Sequence, residues 1–175
     1  MFHRTERLFL RPAWPEDWSE ILAGVGEEAI ARNLAKVPWP YGEAEARWFA
    51  GQRQERCRPN FLVVESASGR VVGSCGIGEY AGEPELGYWI ARNAWGRGYA
   101  TEAARGVIEV AKLLGIRRLT AGHFADNPAS GRVIRKLGFR PTGTARRFSL
   151  ARGCEVDSIE FARDLEEPAP VLRAA

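Results

Sequence analysis

The N-terminal part of the chain alternates between strand and helix patterns of apolar residues. Residues 7–11 have polar ends around an apolar centre and stop at a proline, which predicts a first strand. A proline followed by two acids begins a predicted helix over 15–22. Further helices are predicted over 27–34 and 43–56, and the proline-rich segment 38–42 between them predicts an ordered loop.

The remaining chain is richer in strand patterns. Apolar runs bounded by turn residues predict strands over 61–65, 71–77, 83–90, 118–123, 140–150 and 155–164. Helical spacing with a C-terminal glycine predicts two helices, over 100–114 and 127–138. Strands and helices do not alternate regularly in this order, as they would in a βαβ array. The order therefore predicts an α+β domain over 1–165 with a largely antiparallel sheet. Residues 166–175, which include two prolines, are predicted to be a disordered tail.

Composition and charge exclude several classes of protein. The chain is 45% hydrophobic and 27% charged, and it shows no signal peptide and no apolar run of the roughly 18 residues that a membrane helix needs. Three cysteines without metal-ligand spacing predict no disulfide framework, no zinc site and a reducing cytoplasm. The net charge is only +3, and the arginines are scattered among acids, so we expect no nucleic-acid partner. The preference for arginine over lysine suits a phosphate-rich ligand or is a general compositional bias.

The segment from Asn93 to Glu102 carries the clearest chemical signal. Its glycines, Gly96 and Gly98, lie between a predicted strand and a predicted amphipathic helix. Backbone N–H groups at such a junction, together with the helix dipole, form a site for a pyrophosphate. A structural turn is the alternative explanation. The chain contains no GxxxxGK[ST] motif, and no helix pattern follows the glycines near residue 76, so other phosphate motifs are not indicated.

Several segments together resemble one enzyme family. Residues 95–100 read WGRGYA, and this resembles the acetyl-CoA loop of the GNAT acyltransferase superfamily, Q/R-x-x-G-x-G/A, except that Trp95 replaces Gln or Arg. TERLFLRP at 5–12, PWPY at 38–41, ELGYWI at 85–90 and KLGF at 136–139 are similar to the branch of Rim-type ribosomal-protein N-terminal acetyltransferases.

The resemblance implies a GNAT fold of about seven strands and about four helices. The strand ending at residue 90 would splay from its neighbour at a bulge, hold the pantetheine arm and point backbone N–H groups at the thioester carbonyl. The resemblance implies acetyl-CoA as co-substrate, no metal, and these binding residues: Trp89, Ile90, Trp95, Gly96, Arg97, Gly98, Tyr99, Ala100, Thr101 and Asn127. Core packing is the alternative for the aromatic rings.

Two side chains are candidates for acid–base chemistry. Many GNAT enzymes place a tyrosine acid where this chain has Ile134, and the Rim-like branch suggests Ser130 instead. Ser130 is also three residues past Asn127, where both residues suit a helix start without any catalytic role. Glu85 is the candidate base, acting through water, and strand alternation places it on the face opposite Tyr88. An exposed acid or an arginine partner is the alternative for Glu85.

The resemblance therefore predicts acetyl transfer to a primary amine, with a peptide N-terminus as the first candidate. Small-molecule amines such as antibiotics, polyamines or amino acids are the alternative acceptors. A non-catalytic CoA-binding module also remains open, because fold alone does not establish activity. The closing strands are candidates for pairing with a second subunit in a homodimer.

Overall fold

The fold consists of one twisted sheet with helices on both faces. A computed structural model describes residues 1–165, which form eight strands: β1 (His3–Arg4), β2 (Leu8–Arg11), β3 (Asn60–Glu65), β4 (Val71–Tyr80), β5 (Glu83–Ile90), β6 (Arg118–Phe124), β7 (Arg140–Ser149) and β8 (Cys154–Asp164). The same residues form five α-helices: α1 (Trp18–Val25), α2 (Glu28–Ala31), α3 (Glu43–Ala50), α4 (Tyr99–Leu113) and α5 (Pro128–Lys136). The α+β class is therefore confirmed.

The strand order is β1-β2-β3-β4-β5-β6-β8-β7. All neighbours are antiparallel except β5 and β6, which are parallel and share the single ladder pair Glu85–Thr120 within residues 1–165. The predicted splayed pair is thus β5 and β6. The register between β4 and β5 runs unbroken from Gly73–Ile90 to Tyr80–Glu83, so the expectation of a bulge there is wrong.

Two apolar clusters pack on opposite faces of the sheet. Leu86 and Ile90 of β5 belong to the cluster under α4 and α5, together with Val107 and Ile134. Trp89 faces the other way and joins the cluster under α1 and α3. The alternation predicted for β5 is confirmed, and it gives the two faces of this strand different chemical surroundings.

Three elements differ from the prediction. Residues 3 and 4 form β1, which is too short to show a period in the sequence. Helix α3 ends at Ala50 rather than at residue 56, because residues 51–56 contain no apolar side chain that would bury a further helical turn. Helix α2 spans four residues rather than eight. The tail predicted for residues 166–175 lies outside the described residues.

The remaining expectations concern membranes, thiols and assembly. In the described part of the chain no helix is long and apolar enough to cross a bilayer. Cys57, Cys75 and Cys154 are all free thiols. Strand β7 pairs with β8 on one side and forms an edge of the sheet, so pairing with a second subunit there stays a prediction.

Candidate active site

The divergence of β5 and β6 opens a cleft through the middle of the sheet. Beyond Glu85–Thr120 the two strands separate, and the cleft between them has a volume of about 730 Å³. The first turns of α4 and α5 line it together with the end of β5; these residues include Tyr88, Ile90, Gly98, Thr101, Asn127 and Ser130. Beyond Glu85, the edge of β5 that faces β6 has no ladder partner among residues 1–165, so its backbone can bond to a ligand.

The loop before α4 presents backbone donors at one end of the cleft. Gly96 and Gly98 have φ angles of 74° and 81°, a left-handed conformation that glycine adopts at no steric cost. The first helical bond of α4 runs from the N–H of Glu102 to the carbonyl of Gly98 at 3.1 Å. The N–H groups of Tyr99, Ala100 and Thr101 therefore have no partner inside the helix. This arrangement of donors, combined with the positive end of the helix dipole, favours an anion.

The two large side chains of this loop, Trp95 and Arg97, each have a partner within the protein. The indole Nε1 of Trp95 donates to the carbonyl of Ile90 at 2.6 Å and so ties the loop to the end of β5. Arg97 does not line the cleft; its Nη2 lies 2.6 Å from a carboxylate oxygen of Glu65, which also accepts a hydrogen bond from the Tyr99 hydroxyl. The predicted contact between Arg97 and phosphate requires Arg97 to leave Glu65, and it stays a prediction.

Arg7 links the N-terminal segment to the same loop. Its Nε donates to Glu102 at 2.7 Å, its backbone N–H donates to the same carboxylate at 2.7 Å, and its Nη1 donates to the Arg97 carbonyl at 3.1 Å. Thr5 donates a further hydrogen bond to Glu102 at 2.6 Å. Burial alone raises the pKa of Glu102, but these hydrogen bonds outweigh it and hold the pKa below its usual value. Glu102 therefore stays ionised and joins residues 5–7 to α4.

A pair of hydroxyl groups lies in the middle of the cleft. The Tyr88 hydroxyl is 2.7 Å from Oγ of Ser130, and the Ser130 N–H donates to Oδ1 of Asn127 at 3.3 Å. Asn127 thus caps α5, as one of the two interpretations of its position predicted. Burial raises the pKa of Tyr88, so this hydroxyl stays protonated at neutral pH. Sequence reasoning missed the role of Tyr88 beside Ser130, although strand alternation placed it on the face opposite Glu85.

A buried ion cluster lies on the other face of β5. Nη1 of Arg147 is 2.5 Å from Oε1 of Glu85, and Nε of Arg147 donates to Glu160 at 2.8 Å. Burial alone lowers the pKa of Arg147, but the carboxylates of Glu160 and Glu85 outweigh it and raise the pKa overall. Arg147 and Glu85 line the cleft, and an arginine partner was one alternative for Glu85. No local motif around Arg147 indicates this contact.

A second arginine group surrounds Asp126, which lines the cleft. Asp126 accepts two hydrogen bonds from Arg152, at 2.8 and 3.0 Å, and a longer one from Arg32 at 3.4 Å. Arg132 and Lys136 add positive charge along α5. Within residues 1–165 no three His, Cys, Asp or Glu side chains are grouped as metal ligands would be, and the expectation of a metal-free site stays a prediction.

The comparisons with known proteins identify the family. Residues 7–140 match the family described as Acetyltransferase (GNAT) domain, so the chain belongs to the GNAT acetyltransferases and is an N-acetyltransferase. It is similar to the uncharacterized N-acetyltransferase YoaA of Bacillus subtilis, with 26% identity over 88% of this chain and 91% of that protein. It is also 30% identical to the uncharacterized N-acetyltransferase p20 of Bacillus licheniformis, a match that covers 58% of this chain and 60% of that protein.

Solved structures agree with the fold. A GNAT-family acetyltransferase from Bacillus anthracis superposes with a TM-score of 0.83 and 24% identity, over 95% of this chain and all of that one. RimL, a ribosomal L7/L12 alpha-N-protein acetyltransferase solved with coenzyme A, superposes with a TM-score of 0.80 and 19% identity, over 96% and 100% of the two chains. These likenesses show that the chain shares their fold.

Proposed function

We propose that this N-acetyltransferase uses acetyl-CoA and acetylates the α-amine of a peptide or protein N-terminus. The observation that carries the proposal is the position of the Ser130 and Tyr88 hydroxyls in a cleft between two diverging strands. One end of that cleft is the N-terminus of α4, which suits a pyrophosphate. Support for a peptide acceptor comes from the resemblance to Rim-type enzymes, and RimL itself is described as an alpha-N-protein acetyltransferase.

In this proposal acetyl-CoA extends from α4 to α5. The pyrophosphate lies on the N–H groups of Gly96 to Thr101, where both glycines admit it close to the backbone. The pantetheine arm lies along Trp89 and Ile90 on the unpaired edge of β5, with Asn127 across the cleft. The ring of Trp89 packs on the opposite face of the sheet, so its contact with the cofactor is through the backbone.

The transfer itself is a direct attack. The amine nitrogen forms a bond to the acetyl carbon, the carbon–sulfur bond breaks, the thiolate takes up a proton, and the amine loses one. Ser130 donates its proton to sulfur and takes up another from the Tyr88 hydroxyl, which lies 2.7 Å away and is itself reprotonated by water. Glu85 accepts the amine proton through water. Holding the amine and thioester in line supplies a large part of the rate acceleration.

The first test is CoA release from acetyl-CoA over a panel of acceptors. The panel contains short peptides with different N-termini, polyamines, aminoglycosides and free amino acids. Turnover with peptides alone supports the proposal. Turnover with small amines alone supports the alternative acceptors, and acetyl-CoA binding without any turnover supports a non-catalytic module.

The proposal extends to the domain and its surroundings. Residues 1–165 act as a single acetyltransferase domain, and the three free thiols suit a reducing cytoplasm. Pairing of β7 with a second copy would give the homodimer, and sedimentation of the purified protein tests it.

A further inference from the structure

The side chain of Arg147 extends over neighbouring strands of the sheet to reach Glu85. It starts on β7, and β8 and β6 lie between this strand and β5. On the way the guanidinium lies directly over Gly122 of β6. A β-carbon at Gly122 would lie 2.6 Å from Nη2 and 2.8 Å from Cζ of Arg147. The guanidinium therefore occupies the space that any other residue at position 122 would fill.

Three groups hold the guanidinium in this position. Glu160 accepts hydrogen bonds from both Nε and Nη2, Glu85 accepts one from Nη1, and the Tyr80 ring lies 3.5 Å from Cζ. A guanidinium has five N–H donors. Three are used in these bonds, so two N–H groups of Arg147 have no acceptor in residues 1–165. Arg147 is only 9% exposed, yet it lines the cleft.

Glu85 likewise has a carboxylate oxygen that can accept a hydrogen bond from a ligand. Its Oε1 accepts the bond from Arg147, and among residues 1–165 no side chain or N–H group donates to its Oε2. A carboxylate oxygen and guanidinium N–H groups thus lie side by side on the wall of the cleft. The carboxylate oxygen complements an ammonium or amine group, and the guanidinium N–H groups complement a carbonyl or carboxylate oxygen. An acceptor that satisfies both carries its amine next to a carbonyl group.

We propose that Glu85 and Arg147 together recognise an α-amino-acyl unit, with Glu85 at the amine and Arg147 at the neighbouring carbonyl oxygen. Glu160 and Gly122 are positioning residues, since one holds the guanidinium and the other leaves room for it. This inference rests on the proposed function and names the part of the acceptor that the two side chains bind. A peptide N-terminus and a free amino acid both contain the unit, whereas polyamines and simple alkylamines lack it.

The test compares acceptors that share an amine on a methyl-bearing carbon and differ in the other substituent of that carbon. Trialanine amide has an amide carbonyl there, free alanine has a carboxylate, and isopropylamine has a methyl group. The measured quantity is kcat/KM for each acceptor at saturating acetyl-CoA. The wild-type protein should prefer trialanine amide to isopropylamine, and Arg147→Met should reduce this preference about 10- to 100-fold, as expected for one hydrogen bond to a charged group. The ratio of trialanine amide to free alanine distinguishes the two sources of the unit.

Two further variants guard against misfolding of Arg147→Met, which leaves two carboxylates close together. Gly122→Ala keeps every charge and displaces the guanidinium of Arg147 together with Oε2 of Glu160, which would lie 3.0 Å from the new β-carbon. Glu160→Gln keeps the shape and weakens the hold on the guanidinium. Both should lower the acceptor preference while their melting temperatures and acetyl-CoA affinities stay near those of the wild-type protein.

The possible results distinguish failure of this inference from failure of the proposed function. Wild-type turnover of trialanine amide and isopropylamine with equal kcat/KM overturns the inference and leaves the acetyltransferase proposal intact. An equal loss on both acceptors in Arg147→Met and Gly122→Ala also overturns it, because a merely structural role lowers both alike. Acetyl-CoA binding without turnover of any amine overturns the proposed function and this inference together.

Discussion

The two ends of the cleft are built in different ways. At the cofactor end, the donors are backbone N–H groups supplied by one loop and one helix within residues 96–101. At the acceptor end, the polar groups are charged side chains brought together from distant strands, such as Glu85 and Arg147. Backbone N–H groups bind a phosphate independently of the residue type, whereas the charged side chains decide which amine is accepted. Substitutions at the two ends should therefore affect different kinetic constants.

The largest expected effect belongs to neither end but to the hydroxyl pair between them. Ser130→Ala should lower kcat about 100-fold or more, the usual contribution of a general acid. The KM values for acetyl-CoA and for the acceptor should change little. Stopped-flow and steady-state assays of CoA release measure both, with Ser66→Ala in an exposed turn as the control. A loss confined to KM would show that the Ser130 hydroxyl helps to bind a substrate and does not donate the proton.

The next effect tests the cofactor end. Gly98→Val places a β-branched residue at a φ of 81°, which costs roughly 1–3 kcal/mol and pushes the loop out of its donor geometry. Acetyl-CoA should bind about 10- to 100-fold more weakly by calorimetry. Gly82→Val is the matched control, because Gly82 has the same φ of 81° in a turn that does not line the cleft. Equal loss of affinity in both variants would contradict the assignment of this loop.

A smaller effect is expected where the loop is tied to β5. Trp95→Phe keeps an aromatic ring but removes the hydrogen bond from Nε1 to the carbonyl of Ile90. A neutral hydrogen bond contributes about 1 kcal/mol, so acetyl-CoA affinity should fall about 5-fold. The acceptor KM, measured at saturating acetyl-CoA, should not change. A change in the acceptor KM alone would contradict the assignment of Trp95 to the cofactor end of the cleft.

The smallest effect should come from Asp126, which lines the cleft together with Asn127. Asp126→Asn weakens the bonds to Arg152 and Arg32, and the acceptor KM should rise a few-fold, in line with the modest strength of exposed ion pairs. Hydrogen bonds from Arg152 hold the pKa of Asp126 below its usual value. The stabilisation by these bonds is therefore fully present above the unfolded-state pKa, as at neutral pH, and it is lost as the pH falls through the lowered folded-state pKa.

Since Asp126 is half exposed, the contribution to the free energy of unfolding stays under about 1 kcal/mol. Melting curves at pH 7 and pH 3 measure it. Wild type and Asp126→Asn should differ slightly at pH 7, and the difference should be smaller at pH 3. A difference that grows towards pH 3 would contradict the assignment.

The same contrast explains what the sequence could predict. The helix start at Gly98, the cap at Asn127 and the alternation along β5 depend on near neighbours, so a single sequence predicts them. Arg147 and Glu85 are 62 residues apart, and Tyr88 and Ser130 are 42 apart. Contacts of this kind depend on strand order and register, and no local pattern encodes them. The short β1 and the early end of α3 were missed because packing, not periodicity, decides them.

The attachment of residues 5–7 to α4 couples the motion of the neighbouring strand β2 to that of the first turn of α4. Glu102 receives hydrogen bonds from Thr5 and Arg7, and Leu8 follows directly in β2. Local opening of β2 therefore loosens the first turn of α4, and a ligand on that turn opposes the opening. Bound acetyl-CoA should accordingly slow amide hydrogen exchange in β2, on strand backbone that does not line the cleft. Strand β2 then serves as a remote reporter of whether the cofactor is loaded.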